Sequence, residues 1–248
     1  MSKSESYMQL YSRFWGLREE SSLFRSQSTH LPLYCPENID LDQLEDFSSE
    51  NPDCIIRIDH DSFFHKDRKR LEKLAYFIFP EKLVMRCDIT PETPKEYIKH
   101  FNIKSLQENE WQEEFSKFSK LHDPEKQLEA LFKNEEQTQL LAAHNGIENI
   151  ALAAAVRVED KSFINSVIVA QDHRRQKAAS RLMNTLLHSP FLPKTQQAWL
   201  EVYRENTAAV NLYLKCGFKI DHSFYLLKKN NLTSPLKVHS NPSSHDLH

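Results

Sequence analysis

The 248-residue sequence contains only three glycines, Gly16, Gly146 and Gly217. That scarcity removes the P-loop and the dinucleotide-binding fingerprint, which need several glycines at fixed spacing to bring backbone close to phosphate. A phosphate site in this chain has to be built from something else. The four cysteines, Cys35, Cys54, Cys87 and Cys216, lie far apart and form no C-x-x-C pair, which argues against zinc ligation and a disulfide framework. No apolar run approaches the ~20 residues that span a bilayer. The N-terminal stretch MSKSESYMQLYSRFWG lacks the basic start and apolar core of a secretory signal. A net charge of −3 gives no long-range attraction to nucleic acid or to an anionic membrane. The expectation is a soluble, cytoplasmic protein with neither nucleic acid nor membrane as partner. Oligomeric state leaves no mark in the sequence.

An apolar content of 40% and a charged content of 27% are those of a folded globular chain. Residues 1–50 are weakly patterned, with an amphipathic stretch around Met8–Leu17 and a helix near Leu41–Phe47. CIIRID (54–59) reads as a strand, DRKRLEKLAYF (67–77) as a helix and EKLVMRCDI (81–89) as a second strand. PETP (91–94) interrupts regular structure and marks a boundary. Beyond it the pattern sharpens. FNIKSL is a strand, and Trp111, Phe115, Phe118 and Leu121 mark one face of a helix. PEKQLEALFK is a second short helix with proline in its first turn. Two strands meet at His144-Asn145-Gly146, where Asn-Gly favours a tight hairpin turn. SFINSVIVA is a strand, and HRRQKAASRLMNTLLHS is a helix with Ala179, Leu182, Met183, Leu186 and Leu187 on one face. QAWLEVY is a strand, NTAAVNLYLKC a helix ended by Gly217, and SFYLLK a final strand. Such an order makes an α/β mixed sheet. The Ser-, Asn-, His- and Pro-rich stretch after Asn230 reads as disordered.

LEVYRENTAAVNLYLKCGF (200–218) is the most specific segment. It resembles the closing motif of the GNAT acyltransferase superfamily, N-x-x-A-x-x-L-Y-x-K-x-G-F, with Asn206, Ala209, Leu212, Tyr213, Lys215, Gly217 and Phe218 in every named place. Upstream, SVIVAQDHRRQKAASRLM is similar to the family's acyl-CoA motif, a strand followed by R/Q-x-x-G-x-G/A and a helix. The match runs over Arg174, Arg175, Gln176, Lys177, Ala178 and Ala179, with Lys177 in the place of the first glycine and Gln171 where the family commonly has proline. The resemblance covers roughly residues 100–230. It implies a GNAT-like fold, α/β in the α+β sense, with a mixed, mostly antiparallel sheet flanked by helices. Residues 54–89 loosely repeat the end of that fold, so the expected organisation is an N-terminal α/β lobe at 1–95, a GNAT domain at 96–230 and a tail at 231–248.

The same resemblance implies an N-acyltransferase that moves an acetyl group from acetyl-CoA to a primary amine, with no metal. Backbone of Val167, Ile168 and Val169 would pair with the pantetheine arm. A strand running into a helix presents free N–H groups and a positive dipole end, suited to pyrophosphate. Arg174, Arg175, Gln176, Lys177, Ala178, Ala179 and Ser180 would form that cradle. Asn206 would contact pantetheine or cap its helix. Tyr213 would protonate the departing thiolate as general acid. Glu201, in an L-E-V stretch similar to ribosomal-protein N-terminal acetyltransferases, would take the amine proton directly or through water. The alternative is a non-catalytic acyl-CoA-binding or interaction protein of the same fold. Among the twelve histidines no metal-ligand spacing occurs, and Asp59-His60-Asp61 reads as a solvated loop after a strand.

Overall fold

A computed structural model describes residues 17–20, 23–26, 33–34, 41–51, 54–59, 64–89, 101–118, 138–158, 160–189 and 196–230. The N-terminal half contributes β1 (Leu17–Glu20), β2 (Leu23–Ser26), β3 (Leu33–Tyr34), α1 (Leu41–Glu50), β4 (Ile55–Asp59), α2 (Phe64–Lys73), β5 (Tyr76–Ile78) and β6 (Lys82–Asp88). The C-terminal half contributes β7 (Asn102–Ser105), α3 (Glu108–Phe118), β8 (Thr138–His144), β9 (Asn149–Val158), β10 (Lys161–Val169), α4 (Ala178–Leu187), β11 (Gln197–Tyr203), α5 (Thr207–Lys215) and β12 (Lys219–Lys229).

Among the described residues all strands join one sheet in the order β1-β2-β3-β4-β12-β6-β11-β10-β9-β8-β7, with β5 also paired to β12. Only β3/β4 and β10/β11 run parallel. The mixed, mostly antiparallel sheet flanked by helices is the expected fold class. Its strand order carries a feature that the sequence does not announce. β6, from the N-terminal half, stands between β11 and β12 of the C-terminal half. β12 in turn reaches past β6 to pair with β4 and β5. The stretch proposed as the boundary between the halves, and the tail from 231, lie outside the described residues.

Burial explains why β6 occupies the middle. Leu83 and Met85 point into one apolar cluster and Val84 into the opposite one, and all three are essentially inaccessible. An alternating strand with apolar residues on both faces is stable only where both faces are covered. The first cluster unites β6, β11 and the apolar faces of α4 and α5. The second gathers Trp111 and Phe115 of α3 with Leu152, Phe163, Trp199 and Phe224 on the other face of the sheet. A third joins Leu41, Leu44 and Leu71 of α1 and α2 to Ile56, Ile58 and Leu227.

Local chemistry departs from the expected pattern in five places. The helix expected over 67–77 runs Phe64–Lys73, and after Ala75 at φ 62° the chain continues as strand β5 from Tyr76. The β8–β9 connection is longer than a two-residue turn: Asn145 Oδ1 accepts from the N–H groups of Ile147 (2.9 Å) and Glu148 (3.0 Å), and Gly146 takes φ 102°. That side-chain turn competes with the tight hairpin. The helix expected from His173 starts at Ala178, because Gln171–His173 form a 3₁₀ turn and Arg175 and Lys177 take positive φ. Ala178, not Ala179, heads its buried face. β12 begins four residues before SFYLLK, at Lys219. The strands β1–β3 replace the unpatterned stretch, and Leu17 opens β1 where the amphipathic stretch was to end. The second short helix at PEKQLEALFK, the remainder of Met8–Leu17 and Leu121 lie outside the described residues.

Candidate active site

β10 and β11 pair only through Lys161–Gln197, Ser162–Ala198 and Phe163–Trp199. Beyond Phe163 the two strands part. β10 stays bound to β9 through Val169, and β11 stays bound to β6 through Tyr203, so each is held by its outer neighbour while the inner edges diverge. A bulge between Asn165 and Ile168 assists this, with Ser166 at φ 56°. Asn165 Oδ1 fixes the bulge by accepting from the Ser166 N–H at 2.6 Å. Among the described residues, Val167, Ile168 and Val169 therefore present an inner strand edge without a partner strand. Such an edge offers backbone donors and acceptors to an extended ligand.

The wedge leads toward the start of α4. Its N-cap is Lys177, which makes no side-chain cap, so the first-turn N–H groups of Ala178, Ala179 and Ser180 have no intrahelical acceptor. Those N–H groups and the helix dipole favour an anion. Arg174, Arg175, Gln176 and Lys177 are exposed around it, and Arg174 Nε reaches the Val169 carbonyl at 3.5 Å. Lys177 sits at φ 66°. It thus keeps the left-handed backbone path natural to the glycine it replaces, and its side chain stands in solvent.

α5 flanks the wedge. Asn206 caps it, its Oδ1 accepting from the Ala209 N–H at 3.2 Å. At the other end the Phe218 N–H bonds the Tyr213 carbonyl (3.0 Å) and the Gly217 N–H bonds that of Leu214 (3.1 Å), with Gly217 at φ 93°. This is a glycine-terminated helix end that needs a residue free of Cβ strain. It locks Tyr213, whose ring lies 5.9 Å from that of Phe218. The spacing Y-x-K-x-G-F is thus a device for anchoring Tyr213. Burial pushes the Tyr213 hydroxyl up to about 12, with a smaller contribution from Cys216. It stays protonated throughout the physiological range and so remains a donor.

Glu201 lies on β11 between Leu200 and Val202, which belong to the cluster containing Tyr213. Strand alternation turns Glu201 to the other face, beside Trp199. Tyr213 and Glu201 thus flank the sheet from opposite sides next to the wedge. The Glu201 carboxylate meets Lys82 Nζ at 3.1 Å and Arg57 Nη1 at 3.6 Å and is 11% exposed. Arg57 also meets Asp59 at 3.4 Å, donates from Nη2 to His222 Nε2 at 2.9 Å, and lies 3.6 Å from the centroid of Phe224. Because a guanidinium only donates, His222 Nε2 accepts, and its Nδ1–H donates to Asp221 Oδ2 at 3.0 Å. Asp221 pairs with Arg86 at 3.2 Å. Asp59 ends β4, the strand read at 54–59, and its carboxylate joins this network where a solvated group was expected. Sequence reading missed Arg57, Lys82 and His222, since they come from three strands far apart in the chain. The single signal was a charged residue, Arg57, set between the isoleucines Ile56 and Ile58 of β4.

Residues 103–218 match the model of the Acetyltransferase (GNAT) family, and that stretch is a GNAT domain. A GCN5-related N-acetyltransferase from Kribbella flavida aligns with a TM-score of 0.66 at 11% identity, over 93% of this chain and 95% of its own. A functionally unknown conserved protein from Staphylococcus epidermidis aligns at 0.65 and 10% identity, over 86% and 93%. A tandem GNAT protein from the clavulanic acid biosynthesis pathway aligns at 0.53 and 8%, over 83% and 76%. At these identities the likeness concerns fold alone. No match is found among curated proteins. Among the described residues no helix is long and apolar enough to cross a membrane.

Proposed function

We propose that the protein is an N-acetyltransferase that moves an acetyl group from acetyl-CoA directly to a primary amine of a small molecule or peptide. The observation that carries this reading is the wedge between β10 and β11, which leads to the uncapped start of α4 and whose Val167 and Val169 pack against the cluster that holds Tyr213. The donor set fits acetyl-CoA: an open strand edge for pantetheine, free N–H groups and exposed cations for pyrophosphate. Val167, Ile168 and Val169 bind the arm by backbone. Arg174, Arg175, Gln176, Lys177, Ala178, Ala179 and Ser180 hold the phosphates. Asn206 is accounted for as the cap of α5.

Acetyl-CoA supplies the acetyl group and a thiolate leaving group. Glu201, directly or through a water, accepts the proton that the amine nitrogen loses as it bonds the acetyl carbon. The Tyr213 hydroxyl gives its proton to the sulfur as the carbon–sulfur bond breaks. Access from opposite faces of the sheet suits a direct transfer, since donor and acceptor then meet at the gap. The experiment is thiol release and amide formation across a panel of small amines and peptide N-termini. Amine-dependent thiol release supports the proposal, and its absence across the panel counts against it. One feature favours the second reading, an acyl-CoA-binding protein without transfer: the Cβ of Lys177 stands where the motif has none. Binding without thiol release would select that reading.

A further inference from the structure

The N-terminal half carries neither Tyr213 nor the α4 cradle, yet it reaches the acceptor side of the wedge through two side chains. We infer that Arg57 of β4 and Lys82 of β6 are positioning residues that hold the Glu201 carboxylate, so that the proton-handling centre is completed by the N-terminal half. The inference rests on the acetyltransferase reading for its chemical meaning, but its geometry does not.

Sheet topology makes the arrangement necessary. β6 pairs with β11 in a register that sets Lys82 against Tyr203 and Val84 against Glu201. Lys82 and Glu201 are therefore diagonal neighbours on one face, within reach of a long side chain, and their charged atoms are 3.1 Å apart. Arg57 comes from beyond β12 and crosses the Phe224 ring to reach the same carboxylate. Each Glu201 oxygen is thereby held by a different cation, Oε1 by Arg57 and Oε2 by Lys82.

Among the described residues, three strands supply charged and titratable groups around Glu201. β4 gives Arg57 and Asp59, β6 gives Lys82 and Arg86, and β12 gives Asp221 and His222. Asp59 and His222 act on Glu201 through Arg57, which they fix in place, and Asp221 orients His222. Arg86 balances Asp221. Arg57 is 3% exposed, and its removal would strip a buried network of its centre. Lys82 is 22% exposed and lies at the accessible end. It is the member to test.

In Lys82→Met the stem is kept and one cation is lost. Opposite charge within ~4–6 Å favours a carboxylate's ionised form by one or more pH units. Two readouts decide. In the full chain labelled with ¹³C-glutamate, the Glu201 carboxyl signal, assigned by its loss in Glu201→Gln, should titrate about one unit higher in Lys82→Met and return in Lys82→Arg. The acid limb of kcat/KM for the amine should move by the same amount, with KM for acetyl-CoA unchanged and the limb restored in Lys82→Arg. An unmoved Glu201 titration overturns the clamp. A moved titration with an unmoved acid limb overturns its role in the reaction. If the wild-type chain acetylates no amine, the acetyltransferase reading fails by itself, while the carboxyl titration still decides whether Lys82 sets the state of Glu201.

Discussion

Replacing Tyr213 by phenylalanine removes one hydroxyl and leaves the packing in place. The ring is 7% exposed and keeps its contact with Phe218, so the folded structure should persist. The account assigns the hydroxyl a single task, protonating the leaving sulfur. Loss of a positioned general acid costs roughly 10²–10⁴ in rate. A loss near ~10²-fold corresponds to about 2.7 kcal/mol of transition-state stabilisation. Since the hydroxyl adds nothing to the phosphate cradle, affinity for acetyl-CoA should be unaltered. The assay is steady-state thiol release from acetyl-CoA at saturating amine, paired with calorimetric titration of acetyl-CoA. The folded-state value of about 12, against 10.0 for an unperturbed tyrosine, adds a second handle. Because the pKa is raised, the group's contribution to stability is complete below pH 10 and is lost as pH rises through 12. Tyr213→Phe should therefore weaken the alkaline loss of stability in that window. Turnover within twofold of wild type would remove Tyr213 from the mechanism.

Two further outcomes follow from the backbone and the sheet. Lys177 occupies the left-handed region at about 1–2 kcal/mol, and glycine there loses about 0.5–1 kcal/mol of that gain to the unfolded chain. Lys177→Gly should raise stability by roughly 0.5–1 kcal/mol in urea unfolding, and a lower midpoint would contradict the strain argument. Residues 96–230 expressed alone lack β6, whose Leu83, Val84 and Met85 are buried against both sheet faces. At about 1.5–3 kcal/mol for each side chain, that loss rivals the whole stability of a domain. The fragment should show no cooperative melt by circular dichroism, and a sharp transition would mean that the halves fold independently.

How much of this was legible in the sequence follows from what is local and what is not. Most of the described strands and helices between 55 and 88 and between 102 and 229 were readable because each buries a face at its own period, as in Trp111 and Phe115 on α3, but Tyr76–Phe77, read as the end of a helix, belong to strand β5. The closing motif was readable because Asn206 and Gly217 do local jobs, capping and reversing a helix, that only a few residue types perform. The strands β1–β3 were missed, being two to four residues long and too short to show a period. The insertion of β6 between β11 and β12 leaves no trace, since nothing in a strand's own composition names its neighbours. Glycine scarcity also hid local backbone geometry. Positions that call for positive φ are filled by Ala75, Ser166, Arg175 and Lys177, so the backbone geometry survives without the residue that signals it. Glu201 was visible as a candidate, but its partners Arg57 and Lys82 become apparent only when the sheet sets three strands side by side.

The central claim is that the wedge and the start of α4 bind acetyl-CoA, and its most direct test is a calorimetric titration of acetyl-CoA into the wild-type chain and into Arg175→Glu. The account predicts micromolar binding by the wild type and a loss of at least tenfold in the variant, because a carboxylate replaces a cation beside the phosphates. Absence of binding by the wild type, or equal binding by both, would contradict it.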